Sequence, residues 1–181
     1  ALTEATVATR DGSIVDNPLF AGGRSPKLVM LAGIVGVPWQ DIAKEPKAIA
    51  TGLETTSEID WNLVLGDPAS CGPPGDPLMI ESSDPRAGTS PATGDALAPA
   101  GSGPMANPIN GHERDIQARD DLQYACVYPR LTPAACATPT CACGQPDGDP
   151  ICQSPDGTYS TTQRFGRALP GTRELRLLRS L

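Results

Sequence analysis

Apolar residues are spread unevenly along this chain, and the densest run is residues 27–38, KLVMLAGIVGVP. Residues 28–37 carry no charged or polar side chain, and the run is framed by Ser25-Pro26 and Pro38. Such a run fits a strand buried on both faces. It is shorter than the roughly 20 apolar residues needed to cross a bilayer. Gly33 and Gly36 would each cost a helix about 1 kcal/mol, which also favours the strand. Val29, Leu31, Ile34 and Val37 are therefore the expected centre of the core.

Around this run the pattern predicts shorter elements. Residues 1–26 read as an arm punctuated by Asp11-Gly12, Asn17-Pro18 and Gly22-Gly23, with Ile14-Val15 as a short edge pairing. Residues 39–45 suit two helical turns that Pro46 ends. Ser57-Glu58-Ile59-Asp60 reads as a capping box with Ser57 as N-cap, opening a helix through Trp61, Leu63 and Val64 that stops at Gly66. A strand over the same WNLVL is the alternative. Leu78-Met79-Ile80 makes a short strand, and residues 122–128 alternate like another. Thr172 caps a helix with Leu175, Leu178 and Leu181 on one face.

These elements predict an α/β fold: a small sheet around one buried central strand, few short helices, and long irregular loops stapled by disulfides. A single loop-rich domain spans 1–181, with a long Pro/Gly loop at 66–111 and a Cys-rich loop at 126–157. The last helix reaches the final residue uncapped, which reads as a chain cut within an element of a larger protein. With 20 prolines, 19 glycines and 4% aromatic residues, the chain is expected to build one modest core.

Charge narrows the partners. The net charge of −7 argues against nucleic acid, because phosphate binding needs a basic surface. Residues 164–181 hold five arginines against Glu174, a balance of +4 that leaves −11 on the rest. This basic end is either a solvated helix face or a docking face for a protein partner or a missing remainder of the parent fold.

Six cysteines, five of them within residues 126–152, point to disulfides and an oxidising compartment: secreted, periplasmic or cell surface. Three bridges are expected. Cys71 should pair with a distant cysteine of the later cluster, and Cys126 should anchor one of Cys136, Cys141, Cys143 and Cys152. Cys141 and Cys143 should not join each other across one residue. Zinc is disfavoured because the paired C-x2-4-C spacing of structural sites is missing.

Catalytic chemistry has one starting point. His112 is the only histidine, and Glu113 and Asp115 beside it could orient it for acid/base work on a serine such as Ser90. The nucleophile-elbow motif G-x-S-x-G is absent. Asp147, Asp149 and Asp156 form a second candidate, a flexible set of oxygen donors suited to calcium, and no other cofactor is called for.

The segments GIVGVPWQDIA, DPLMIESSDPR, NGHERDIQARDDLQYACVYP and PGTRELRLLRSL resemble those of uncharacterised secreted or lipid-anchored bacterial proteins with a von Willebrand factor A-like domain. The resemblance implies the later half of that fold, with the Cys-rich stretch as an insertion. The D-x-S-x-S metal-adhesion motif of such domains is missing, so no site carries over. The sequence thus suggests a secreted bacterial domain with a binding or structural role. The alternative is a small extracellular hydrolase using His112, a carboxylate and a loop serine.

Overall fold

The computed structural model describes residues 4–28, 30, 32–70, 72–97, 113, 121–146 and 148–180. The chain divides into two compact units, Ala1–Ile34 with Glu174–Leu181, and Val35–Arg173. The fold is mixed α/β, and the described residues hold two small antiparallel sheets, few short helices and two disulfides.

In the first unit, β1 (Thr6–Ala8) pairs with β2 (Ile14–Asp16), Val7 facing Val15. The Asp11-Gly12 turn joins them: Asp11 Oδ1 accepts from Ser13 N at 3.1 Å and from the Thr9 hydroxyl. In the second unit, α1 (Trp61–Leu65) precedes the hairpin of β3 (Cys126–Ala135) and β4 (Thr162–Ala168). Cys126 faces Ala168 and Ala135 faces Thr162, with a register irregularity between Pro129 and Ala134. A second helix, α2, runs Thr172–Arg179.

One local device recurs. Asn17-Pro18, Asp76-Pro77 and Asp149-Pro150 each open a short 3-10 helix, and each Asx side chain accepts from the backbone N–H two residues on. Proline supplies the preset φ and needs no donor partner at the first position, while the Asx oxygen satisfies the next orphan N–H. All three Asx residues are buried, so each cap also ties its loop to the interior.

The core lies elsewhere than expected. Tyr124, Cys143, Ile151 and Cys152 form one buried cluster, flanked by Val127, Cys136, Tyr159 and Phe165. Val64, Leu65, Leu78, Met79 and Leu97 are buried as well. Among the described residues no strand covers 27–38: Leu28 and Met30 are exposed, and Ile34 is 106% exposed. Val37 is half-buried, while Val29 and Leu31 lie outside the described residues. A central strand needs a hydrogen-bonded neighbour along each edge, and among the described residues β3 pairs with β4 and β1 with β2. The run obtains a single bridge, Gly36 to Pro170, with Gly36 N donating to Leu169 O at 2.9 Å. A Cβ at Gly36 would stand 2.6 Å from that oxygen, so the approach requires glycine.

The described part of the long loop, 66–70 and 72–97, is also more packed than its composition suggests. Asp76, Leu78, Met79, Arg86, Ser90 and Leu97 are all buried. The Leu78-Met79-Ile80 segment is the 3-10 helix Pro77–Met79 with Ile80 as its C-cap, not a strand. Residues 39–45 form only the 3-10 helix Trp39–Asp41. The capping box shifts too. Thr55 N and its hydroxyl both donate to Glu58 Oε2 at 2.8 Å, closing their own turn. Asp60, not Ser57, then caps α1, accepting from Asn62 N and Leu63 N.

α1 ends at Gly66, with φ of +77°. A Cβ there would meet Pro73 O at 2.3 Å. Left-handed backbone costs a non-glycine residue roughly 1–2 kcal/mol before that collision is counted. Gly66→Ala should therefore lower the unfolding free energy measured in urea by more than that figure, and an unchanged midpoint would mean the loop simply moves aside.

Candidate functional site

The densest polar construction in the second unit centres on Arg86. Its backbone N donates to Glu113 Oε2 at 2.7 Å and its Nε to Glu113 Oε1 at 2.6 Å. Its Nη2 lies 2.5 Å from the same Oε1, and both side chains are 5% exposed. Nη1 donates to Leu78 O at 2.6 Å and Ile80 O at 3.3 Å, and Nη2 donates to Tyr124 O. A planar guanidinium can satisfy a carboxylate and several carbonyls at once, which a lysine cannot. Arg86 thereby joins the 77–80 segment, residue 113 and the start of the β3 approach.

Tyr124 extends this construction. Its hydroxyl donates to Asp149 Oδ2 at 3.2 Å and accepts from Arg167 Nη1 at 3.0 Å. Arg167 also pairs with Asp121 at 2.7 Å, and its guanidinium carbon lies 5.3 Å from the Tyr124 ring centroid. Losing a buried hydroxyl that serves two charged partners typically costs about 1–3 kcal/mol. Tyr124→Phe should show that loss in equilibrium denaturation, and a neutral result would mean water replaces the hydroxyl.

These arrangements decide how the sequence candidates are used. Glu113 is the Arg86 partner. Ser90 is 1% exposed, and its hydroxyl accepts from Thr93 N at 3.2 Å inside the 90–95 turn. His112 and Asp115 lie outside the described residues. Of the calcium candidates, Asp149 caps the 3-10 helix Pro150–Cys152 and holds Tyr124. Asp156 Oδ1 accepts from Thr158 N at 3.0 Å and Thr158 Oγ1 at 2.7 Å, which lowers its pKa. Asp147 lies outside the described residues. Among the described residues, no group of three or more His, Cys, Asp or Glu is disposed to hold a metal ion.

The cysteines pair as Cys136–Cys141 and Cys143–Cys152. Cys141 and Cys143 are not joined. Cys126, expected to anchor the loop, is a free thiol at the start of β3, and burial raises its pKa. The correction has a simple cause: the four cysteines of the loop satisfy one another locally and leave Cys126 no partner there. Cys71 lies outside the described residues.

A further pair was not visible in the sequence. Asp41 is 5% exposed and Asp76 is fully buried. Asp76 Oδ1 accepts from Leu78 N at 2.8 Å. Asp76 Oδ2 and both Asp41 carboxylate oxygens have no hydrogen-bond donor among the described residues. Burial, then the facing Asp76, pushes the Asp41 pKa up to about 9. The available sequence signal was Asp76-Pro77 as a capping pair, which gives the cap but not the second carboxylate.

Compared with known protein families, with curated proteins and with solved structures, the chain has no match.

Proposed function

We propose that this chain is a secreted, periplasmic or cell-surface bacterial module with a binding or structural role. The observation that carries the reading is the Cys143–Cys152 bridge, because both cysteines are fully buried and pack with Tyr124 and Ile151. A disulfide that forms part of the core ties folding to an oxidising compartment. The resemblance to secreted or lipid-anchored bacterial proteins with a von Willebrand factor A-like domain supports the same location. On this reading α2 is where the remainder of the parent fold, or a protein partner, would dock. Among the described residues no helix is long and apolar enough to cross a membrane.

The hydrolase alternative draws less support. Ser90 is buried in its own turn and Glu113 is held by Arg86. The test combines compartment and catalysis. Protein exported to the periplasm should fold with four of its cysteines oxidised, whereas reduced cytosolic protein should not accumulate in folded form. The parent should also show no esterase or peptidase turnover above background. Turnover that disappears in a folded His112→Ala variant would replace this reading with the hydrolase.

A further inference from the structure

Asp41 closes the 3-10 helix Trp39–Asp41, and Asp76 caps the 3-10 helix Pro77–Met79. The two carboxyls face one another in the interior, and three of their four oxygens have no donor among the described residues. Two ionised carboxylates cannot hydrogen-bond each other, and buried like charges repel strongly. A single proton between them removes both difficulties, since one carboxyl then donates to the other. We propose that Asp41 and Asp76 form a proton-operated latch, in which one shared proton joins residues 39–41 to the cap of residues 77–79. Its loss at alkaline pH parts the two segments.

The surrounding charges do not substitute for the proton. Asp60, the cap of α1, adds negative charge towards Asp41. Arg86 faces Asp76, but its guanidinium is committed to Glu113 and to the carbonyls of Leu78, Ile80 and Tyr124. The direction of the pH effect follows. The folded pair keeps a proton that an unfolded aspartate gives up near its ordinary 3.8, and releases it near about 9. Folding therefore takes up a proton across that window. Stability is greatest at its acid end and falls as pH rises. The carboxylates Asp11, Glu58, Asp67, Asp95 and Asp156, lowered by hydrogen bonds, act only at or below the ordinary carboxylate range. The Cys126 thiol and Tyr159 phenol, raised by burial, act only towards the alkaline end, where the Asp41→Asn comparison separates them from the pair.

The test follows thermal and urea unfolding of the full chain from about pH 5 to about pH 9. The unfolding constant of the parent should rise up to about tenfold per pH unit, the slope of one proton. Asp41→Asn should flatten that slope. Asp76→Asn, which still accepts from Leu78 N, should reduce it. Carbon-13 labelling of aspartate carboxyls reads the parent directly, so the result does not depend on any variant folding. Asp41 should titrate far above the other aspartates. Parallel pH profiles for the parent and a folded Asp41→Asn, or an Asp41 signal in the ordinary carboxylate range, would overturn the latch. So would calcium or magnesium at neutral pH stabilising the parent but not Asp41→Asn, because a cation would then be the partner of the pair.

Discussion

Arg86→Ala should lower the unfolding free energy by about 3–5 kcal/mol, the usual loss when one member of a buried ion pair is removed. The figure follows from what is stranded. Glu113, 5% exposed, would keep its charge in the interior, and the carbonyls of Leu78, Ile80 and Tyr124 would lose their shared donor. Net stability of a domain is about 5–15 kcal/mol, so the variant should be near the limit of folding at room temperature. Two companions separate charge from packing. Glu113→Gln keeps the shape and should cost less. Arg86→Met with Glu113→Leu removes both charges, and should recover part of the loss seen in Arg86→Ala. Urea denaturation followed by circular dichroism reads all three. If the double variant is no better than Arg86→Ala, the carbonyl contacts and not the ion pair hold this region.

Replacing both Cys143 and Cys152 by Ala should cost about 2–5 kcal/mol, the range seen when a native bridge is removed from a small secreted domain. Both sulfurs are fully buried against Tyr124 and Ile151, so lost packing adds to lost cross-linking. The corresponding Cys136/Cys141 variant should lose less, since those residues are partly exposed and the closed loop is shorter. Thermal unfolding with and without reductant gives the comparison. An equal loss in both variants would mean that burial of the inner bridge adds nothing.

Local features were legible in the sequence and distant ones were not. Gly66 as the end of α1 and the Asp11-Gly12 turn follow from a few adjacent residues, and Thr172, expected as the N-cap of α2, is its first helical residue. The strand expected at 122–128 overlaps the start of β3. The failures involve partners far apart in the chain. Arg86 and Glu113 are 27 positions apart, and nothing in either neighbourhood announces the other. Asp41 and Asp76 present the same difficulty, because nothing around either one announces the other. The 27–38 run misled for a related reason. Its composition is apolar, but that does not say whether strands exist to sandwich it, and Leu28, Met30 and Ile34 stay exposed. Of the catalytic candidates, Ser90 accepts from Thr93 N and Glu113 is bound by Arg86, and the second of these contacts joins residues too far apart to be read from either neighbourhood.

The two bridges join neighbours in sequence, with separations of 5 and 9 residues, and their loops neither cross nor nest. Four cysteines admit three pairings, and this one closes the shortest pair of loops. Short loops close fastest and at the least entropic cost. Oxidation of this segment therefore has no need of a folded scaffold to select partners. A disulfide isomerase should accelerate its refolding little, in contrast to proteins whose bridges span the whole chain.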